Sequence, residues 1–150
     1  MPAGDMLTGA FWEHEINGYL IGDDNPWNVD SVNGWIGHTV RDQDTALDLA
    51  DGAVAATDTE GVKVVTLSIY TNLGTDSDSD TMEAFADLEA AWTIGADVEL
   101  HATLPYYGHV YVVGRCRDLT PPDLRDVPSG RIEVQAMFVA HDPTVTVVTP

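Results

Sequence analysis

Arg131-Ile132-Glu133-Val134-Gln135-Ala136-Met137-Phe138-Val139-Ala140 alternates without a break. Ile132, Val134, Ala136, Phe138 and Ala140 fall on one side, and Arg131, Glu133 and Gln135 on the other. Successive side chains of a strand point to opposite faces, so this stretch predicts a strand with one buried face. Asp142-Pro143 ends it, because proline has no N–H for a ladder and restricts the residue before it. The same period recurs upstream, where Val65, Leu67 and Ile69 oppose Thr66 and Ser68 within Lys63 to Thr71. Phe11 to Val40 also reads as strands, interrupted at Gly22-Asp23-Asp24-Asn25-Pro26, and Asp51-Gly52 marks a turn.

Two strands, Val98 to Leu104 and His109 to Arg115, flank Pro105-Tyr106-Tyr107-Gly108. With all four residues in the connection, Leu104 pairs with His109. One face then collects Val98, Leu100, Ala102, Leu104, Tyr111 and Val113. The other carries Glu99, His101, Thr103, Val110 and Val112, and His101 and His109 emerge on opposite faces.

One helix is predicted over about Thr81 to Trp92. Asp80 is placed to cap it, with Glu83 three residues on as in a capping box. Met82, Phe85, Leu88 and Trp92 form its apolar stripe, and Gly95 ends it. Together these elements predict a single domain over residues 1–150, mainly antiparallel β with one flanking α-helix, arranged as a β-sandwich of tail-tube-like type.

The chain carries 25 acids against six bases, a net charge of −19, and Lys63 is its only lysine. That balance argues against neutralising nucleic-acid phosphates, which needs clustered Lys and Arg. A surface this acidic suits solubility in high salt, repulsion of a passing polyanion, or the composition bias of a genome. Apolar runs are only a few residues long, whereas a membrane-spanning helix needs roughly 20. The start, Met1-Pro2-Ala3-Gly4-Asp5, has no basic or apolar signal segment.

Chemistry-bearing patterns are sparse. Cys116 is the lone cysteine and reads as a small core residue. Asp76-x-Asp78-x-Asp80 invites a calcium reading, but an EF-hand loop wants Gly and Glu where Thr81 and Asp87 stand. His14, His38, His101, His109 and His141 include no pair at zinc-ligand spacing. There is no nucleophile elbow, phosphate loop or His-Glu-x-x-His. No catalytic residue, metal or cofactor is expected. Trp12, Trp27 and Trp35 read as core or as interface anchors, and Tyr106 and Tyr107 as a loop-tip pair.

The C-terminal half resembles the minor tail and distal tail proteins of long-tailed phages and related archaeal viruses. The likeness rests on Gly114-Arg115-Cys116-Arg117, a loop, Ser129-Gly130-Arg131, then Met137-Phe138-Val139-Ala140-His141-Asp142-Pro143. In order and spacing it extends over about Trp35 to Pro143, with Gly114, Arg115, Phe138, Asp142 and Pro143 as the motif positions. The resemblance implies a β-sandwich with a flanking helix and a structural virion protein. Such a protein forms a ring, commonly a hexamer, at the distal end of the tail tube. It would connect the tube to baseplate or tip proteins, with DNA as passing cargo and no membrane partner. It would be assembled in the host cytoplasm. Larger members carry a second, carbohydrate-binding-like domain after the Asp-Pro, and this sequence stops at Pro150.

Candidate interface residues are Tyr106, Tyr107, Arg115, Arg117, Asp123, Leu124, Arg125 and Asp126. Thr120 to Gly130 reads as an exposed loop, and Thr71 to Asp80 as a second contact loop. On this reading, deletion of Asp123 to Val127 leaves a folded monomer that cannot form a ring. The alternatives are a tail tube, terminator or other head–tail ring subunit, and a small carbohydrate-binding β-sandwich using Trp27, Tyr106 and Tyr107. An acidic hydrolase ranks last for want of a motif.

Overall fold

The computed structural model describes residues 4–22, 26–36 and 62–148, together with the backbone of four two-residue strands between 40 and 60. Strands β1 (His14–Ile16), β2 (Tyr19–Ile21) and β3 (Trp27–Asn33) come first. Asn17 and Gly18, both at positive φ, turn the chain between β1 and β2. Asn-Gly is the pairing that a two-residue hairpin turn favours. Next are β4 (Val40–Arg41), β5 (Thr45–Ala46), β6 (Ala53–Val54) and β7 (Thr59–Glu60). β4 pairs with β7 and β5 with β6, both antiparallel. Asp51-Gly52, His38, Asp23 and Asp24 lie outside the described residues.

The main body follows: β8 (Lys63–Thr71), α1 (Asp78–Ala91), β9 (Val98–Leu104), β10 (Gly108–Leu119), β11 (Glu133–Ala140) and β12 (Thr146–Val147). The strand order is β2-β1-β9-β10-β11-β8-β3, every pairing antiparallel, with β12 also on β10. The fold is mainly antiparallel β with one α-helix. β10 serves both halves, pairing with β9 over Gly108–Gly114 and with β11 from Arg115. The inward residues of both halves make one core. Leu100, Ala102, Val110 and Val112 meet Leu67, Ile69, Val134 and Phe138 there, all almost wholly buried.

Gly114 makes the changeover possible. A Cβ at this position would stand 2.1 Å from Val139 O and 2.5 Å from Ala140 Cα, both backbone atoms. Only a residue without a side chain lets β11 approach so closely where β10 changes partners. Phe138 is fully buried and meets Trp92 edge to face at 6.3 Å. Asp142 Oδ1 accepts from Thr144 N (3.0 Å), closing the turn that proline begins. That backbone bond holds the Asp142 carboxyl below the usual carboxylate range. The motif thus marks a bend, a core anchor and a turn.

Three expectations are corrected. The hairpin pairs Leu104 with Gly108, not His109. Its connection is three residues, with Tyr106 at φ 71° and Tyr107 N bonded to Pro105 O (2.8 Å). Gly108, also at positive φ, is the first residue of β10 rather than the last of the turn. A one-residue change in register turns every side chain of β10 to the other face. Val110 and Val112 therefore enter the core, while His109, Tyr111 and Val113 join Glu99, His101 and Thr103 outside.

The helix begins three residues earlier than expected. Ser77 occupies its N-cap position, Thr81 N and Oγ1 both donate to Ser77 O (2.8 Å each), and Asp78 and Asp80 lie in the first turn. Acids there face the positive helix end. The buried stripe becomes Thr81, Ala84, Leu88 and Trp92, and Met82 is exposed.

The 120–130 segment is also less open than it reads. Leu124–Ser129 forms a 3₁₀ helix packed against α1, with Val127 buried. Gly130 lies so close to Gly74 that a Cβ would stand 2.0 Å from Gly74 O. Thr71 Oγ1 donates to Gly130 O (3.0 Å), and Leu73 N donates to the same carbonyl (2.9 Å). Deletion of Asp123 to Val127 would remove the buried Val127 and shorten the chain that leads into this junction, so it is expected to destabilise the monomer as well as alter the surface. Val127→Ala alone is expected to cost about 2 kcal/mol, read from urea midpoints.

Candidate functional site

The candidate interface residues do not form one patch. Tyr106 and Tyr107 occupy the hairpin tip, Tyr106 at 96% exposure, with their rings edge to face at 5.1 Å. Asp123, Leu124, Arg125 and Asp126 begin beyond the far end of β10. Twelve residues of strand separate these ends, roughly 35 Å along the chain. Arg125 forms a fork on Asp123 (3.1 and 2.8 Å), which holds the Asp123 carboxyl low, and Leu124 is exposed. A pair this exposed contributes little to stability.

Between these ends, β3, β8, β11 and the second half of β10 present an outward face. In register it carries Asn28, Ser31 and Asn33, then Thr66, Ser68 and Tyr70, then Glu133, Gln135, Met137 and Val139. Glu133 is the one acid in these paired positions, and Arg131 meets it at 3.2 Å. The Arg131 guanidinium also lies 4.2 Å above the Tyr70 ring. Arg115 extends the same face beside Val139 and bonds Asp97 (2.9 Å). Arg117, two residues on, is exposed and makes no ion pair among the described residues. The paired positions of this face thus carry a single acid on a chain whose net charge is −19, while Asp30 and Asp118 are exposed at the register breaks of β3 and β10. Among the described residues β3 pairs only with β8, so its far edge keeps its hydrogen-bonding groups.

The hairpin-tip end is apolar. An open cavity of about 380 Å³ is lined by Trp35, Ile36, Lys63, Leu104, Tyr107 and Val147, among others. A neighbouring one of about 400 Å³ adds Trp12 and Pro105. Among the described residues neither lining contains an acid. Trp12 is 45% exposed, whereas Trp27, Trp35 and Trp92 are core residues. Trp27 has no accessible surface, so it cannot stack on a sugar. Its indole donates to Tyr19 Oη (3.0 Å).

Sequence reading missed a polar cluster on the outer side of β1, β9 and β10. Glu13 and Glu15 are 1% exposed. Glu15 accepts from Gly4 N and from Met6 N (3.0 Å). Glu13 accepts from Thr8 Oγ1 (2.8 Å), Gly9 N (2.6 Å) and Thr103 Oγ1 (3.2 Å). His101 Nδ1 and His109 Nε2 are 2.7 Å apart, and His101 Nε2 meets Glu99 Oε1 at 2.8 Å. His101 stacks on Tyr111 at 4.9 Å. The signal was the glycine at the end of the turn, which sets a three-residue connection and brings both histidines to one face. No group of three His, Cys, Asp or Glu among the described residues has metal-holding geometry. Burial pushes the Cys116 thiol up to about 12, so it stays protonated.

No protein-family model and no curated protein sequence matches the chain. Among solved structures it is similar to the Dit protein of phage SPP1, described as a paradigm of the hub of the adsorption apparatus in phages infecting Gram-positive bacteria. The TM-score is 0.70 at 17% identity, over 91% of this chain and 52% of that one. The chain spans about half the length of the protein it matches, and the likeness at this identity establishes a shared fold.

Proposed function

We propose that the protein is a structural subunit of a virus tail, acting by assembly and not by catalysis. Its place would be a ring at the distal end of the tail tube, between the tube and the baseplate or tip proteins. The observation that carries this reading is the fold shared with a tail hub protein over 91% of the chain. The surface supports it. A chain of −19 can approach its own copy only where charge is low, because like charges facing each other oppose contact. The outward face, with one acid among its paired positions, and the hairpin-tip cavities, with no acid among their described lining residues, come nearest to that condition. They are distinct surfaces, as heterologous contacts in a closed ring and its axial neighbours require. Arg115 and Arg117 would then serve contacts between adjacent subunits, and Tyr106 and Tyr107 contacts along the tail axis. Acids elsewhere on the subunit would keep passing DNA from adhering.

Charge reversal tests this assignment. Arg117→Glu alters an exposed side chain, so the melting temperature is expected to stay within a few degrees of the parent. Ring formation, followed by light scattering, is expected to fall at least tenfold in apparent affinity. A variant that assembles like the parent removes this face from the interface. The carbohydrate-binding alternative loses one of its three aromatics with Trp27 in the core.

A further inference from the structure

Residues 4–12 lie over the outer side of β1, β9 and β10, and their attachment is built from titratable groups. The two buried carboxylates accept from Gly4 N and Met6 N, and from Thr8 Oγ1 and Gly9 N. Trp12 N adds a bond to Thr103 O (2.7 Å). Beneath the segment, Gly4 is seated directly on the histidine pair. A Cβ there would stand 2.7 Å from His109 Cε1 and 2.8 Å from His101 Nδ1. The first glycine of the segment therefore has no clearance from either ring.

The pair itself has a proton limit. A carboxylate only accepts, so His101 Nε2–H donates to Glu99. The 2.7 Å contact between His101 Nδ1 and His109 Nε2 then holds one proton. Neutral His109 donates to neutral His101, or a single imidazolium donates to its neighbour. A second imidazolium would bring two N–H groups face to face, and the rings must part. The groups facing the pair are Glu13 just before β1, Glu15 from β1, Glu99 from β9 and Tyr111 from β10. Asp5 is exposed on the segment itself, and β12 contributes only Thr146 and Val147.

We propose that the His101–His109 pair makes residues 4–12 an acid-released cover over the β1–β9–β10 face. At neutral pH the pair is compact, Gly4 is seated, and Glu13 and Glu15 hold the segment down. When both imidazoles are charged, the rings separate under Gly4 and the cover lifts up to Trp12, which stays bonded to Thr103 and His14. Thr103 and Tyr111 are then exposed, together with the two carboxylates. The inference stands independently of the tail reading, since it rests on this cluster alone.

The test follows the amide resonances of Gly4, Met6 and Gly9 from pH 7.5 to pH 4.5, with Leu67 and Val134 in the core as internal reference. The three segment amides are expected to move together to disordered positions while the core resonances persist. His109→Gln keeps an N–H toward His101 Nδ1 but cannot be charged. In that variant the release is expected to shift down by at least about one pH unit. Should His109→Gln fail to fold, Gly4→Ala provides the second arm, with its segment released already at pH 7.5 and the core intact. Three results would each overturn the proposal. The segment could stay bound to pH 4.5, lift only together with the core, or lift at the parental pH in His109→Gln.

Discussion

Gly114→Ala is expected to destabilise the protein by at least about 3 kcal/mol, or to leave it insoluble. The added carbon would overlap Val139 O and Ala140 Cα, at 2.1 and 2.5 Å. Both neighbours are backbone, in the strand that pairs with the second half of β10 and with β8. No rotamer change relieves the overlap, so β11 would have to withdraw from the point where β10 changes partners. Domains of this size carry about 5–15 kcal/mol of stability and lose about 2–4 °C of melting temperature per kcal/mol. A fall of roughly 10 °C is therefore expected by calorimetry. Gly18→Ala is the control. Gly18 has positive φ, but a Cβ added there would meet nothing within 4 Å, so only the backbone cost of about 1–2 kcal/mol applies. Equal effects at the two positions would refute the close-approach account.

Stability is expected to fall by about 2 kcal/mol from pH 7 to pH 5 through His14 alone. His14 is fully buried between two fixed partners. Trp35 Nε1–H donates to its Nε2 (2.9 Å), which leaves Nδ1–H to donate to Trp12 O (2.8 Å). The indole is only a donor, so the imidazole must be neutral. Burial lowers its pKa from 6.5 to about 4, with the bond to Trp12 O opposing. The unfolded chain takes up a proton near pH 6.5 and the folded chain only near pH 4. Between those values the unfolded state holds more protons. The contribution is thus complete above pH 6.5 and lost as pH falls, about 3 kcal/mol over the whole window. The His14 ring resonances are expected to stay unshifted above pH 5, and urea midpoints to fall between pH 7 and pH 5. A His14 resonance titrating near pH 6.5 would contradict the buried neutral assignment.

The sheet was legible where the alternation had one possible reading. Lys63–Thr71 and Glu133–Ala140 bury the side chains that the period assigns inward. β10 was not legible in the same way, because it is apolar on both faces near Val110–Val113 and the turn alone decides its register. The choice between a three- and a four-residue connection moved Val110 and Val112 into the core and brought His101 to His109. The helix was found, but Thr81 bonded to Ser77 drew its start upstream of Asp80. The motif positions were legible as a pattern, yet their physical meaning is packing: Gly114 permits a close approach, Phe138 fills the core, and Asp142 closes a turn. Of the motif positions, Arg115 lies on the outward face and Pro143 lines the hairpin-tip cavity, the two surfaces proposed for assembly. The polar cluster under residues 4–12 was invisible because its members come from three separated stretches, 4–15, 99–103 and 109–111.

The most direct test of the assembly reading is the native mass of the purified protein, by light scattering after size exclusion, at low and at multimolar salt. Salt screens the repulsion between copies carrying −19 each, with a Debye length of about 3 Å at 1 M. The account expects a discrete closed ring, near six subunits, at least at high salt, and its loss in Arg117→Glu. A strict monomer at every salt and concentration, also in the presence of the tail-tube and tip proteins proposed as partners, would contradict it.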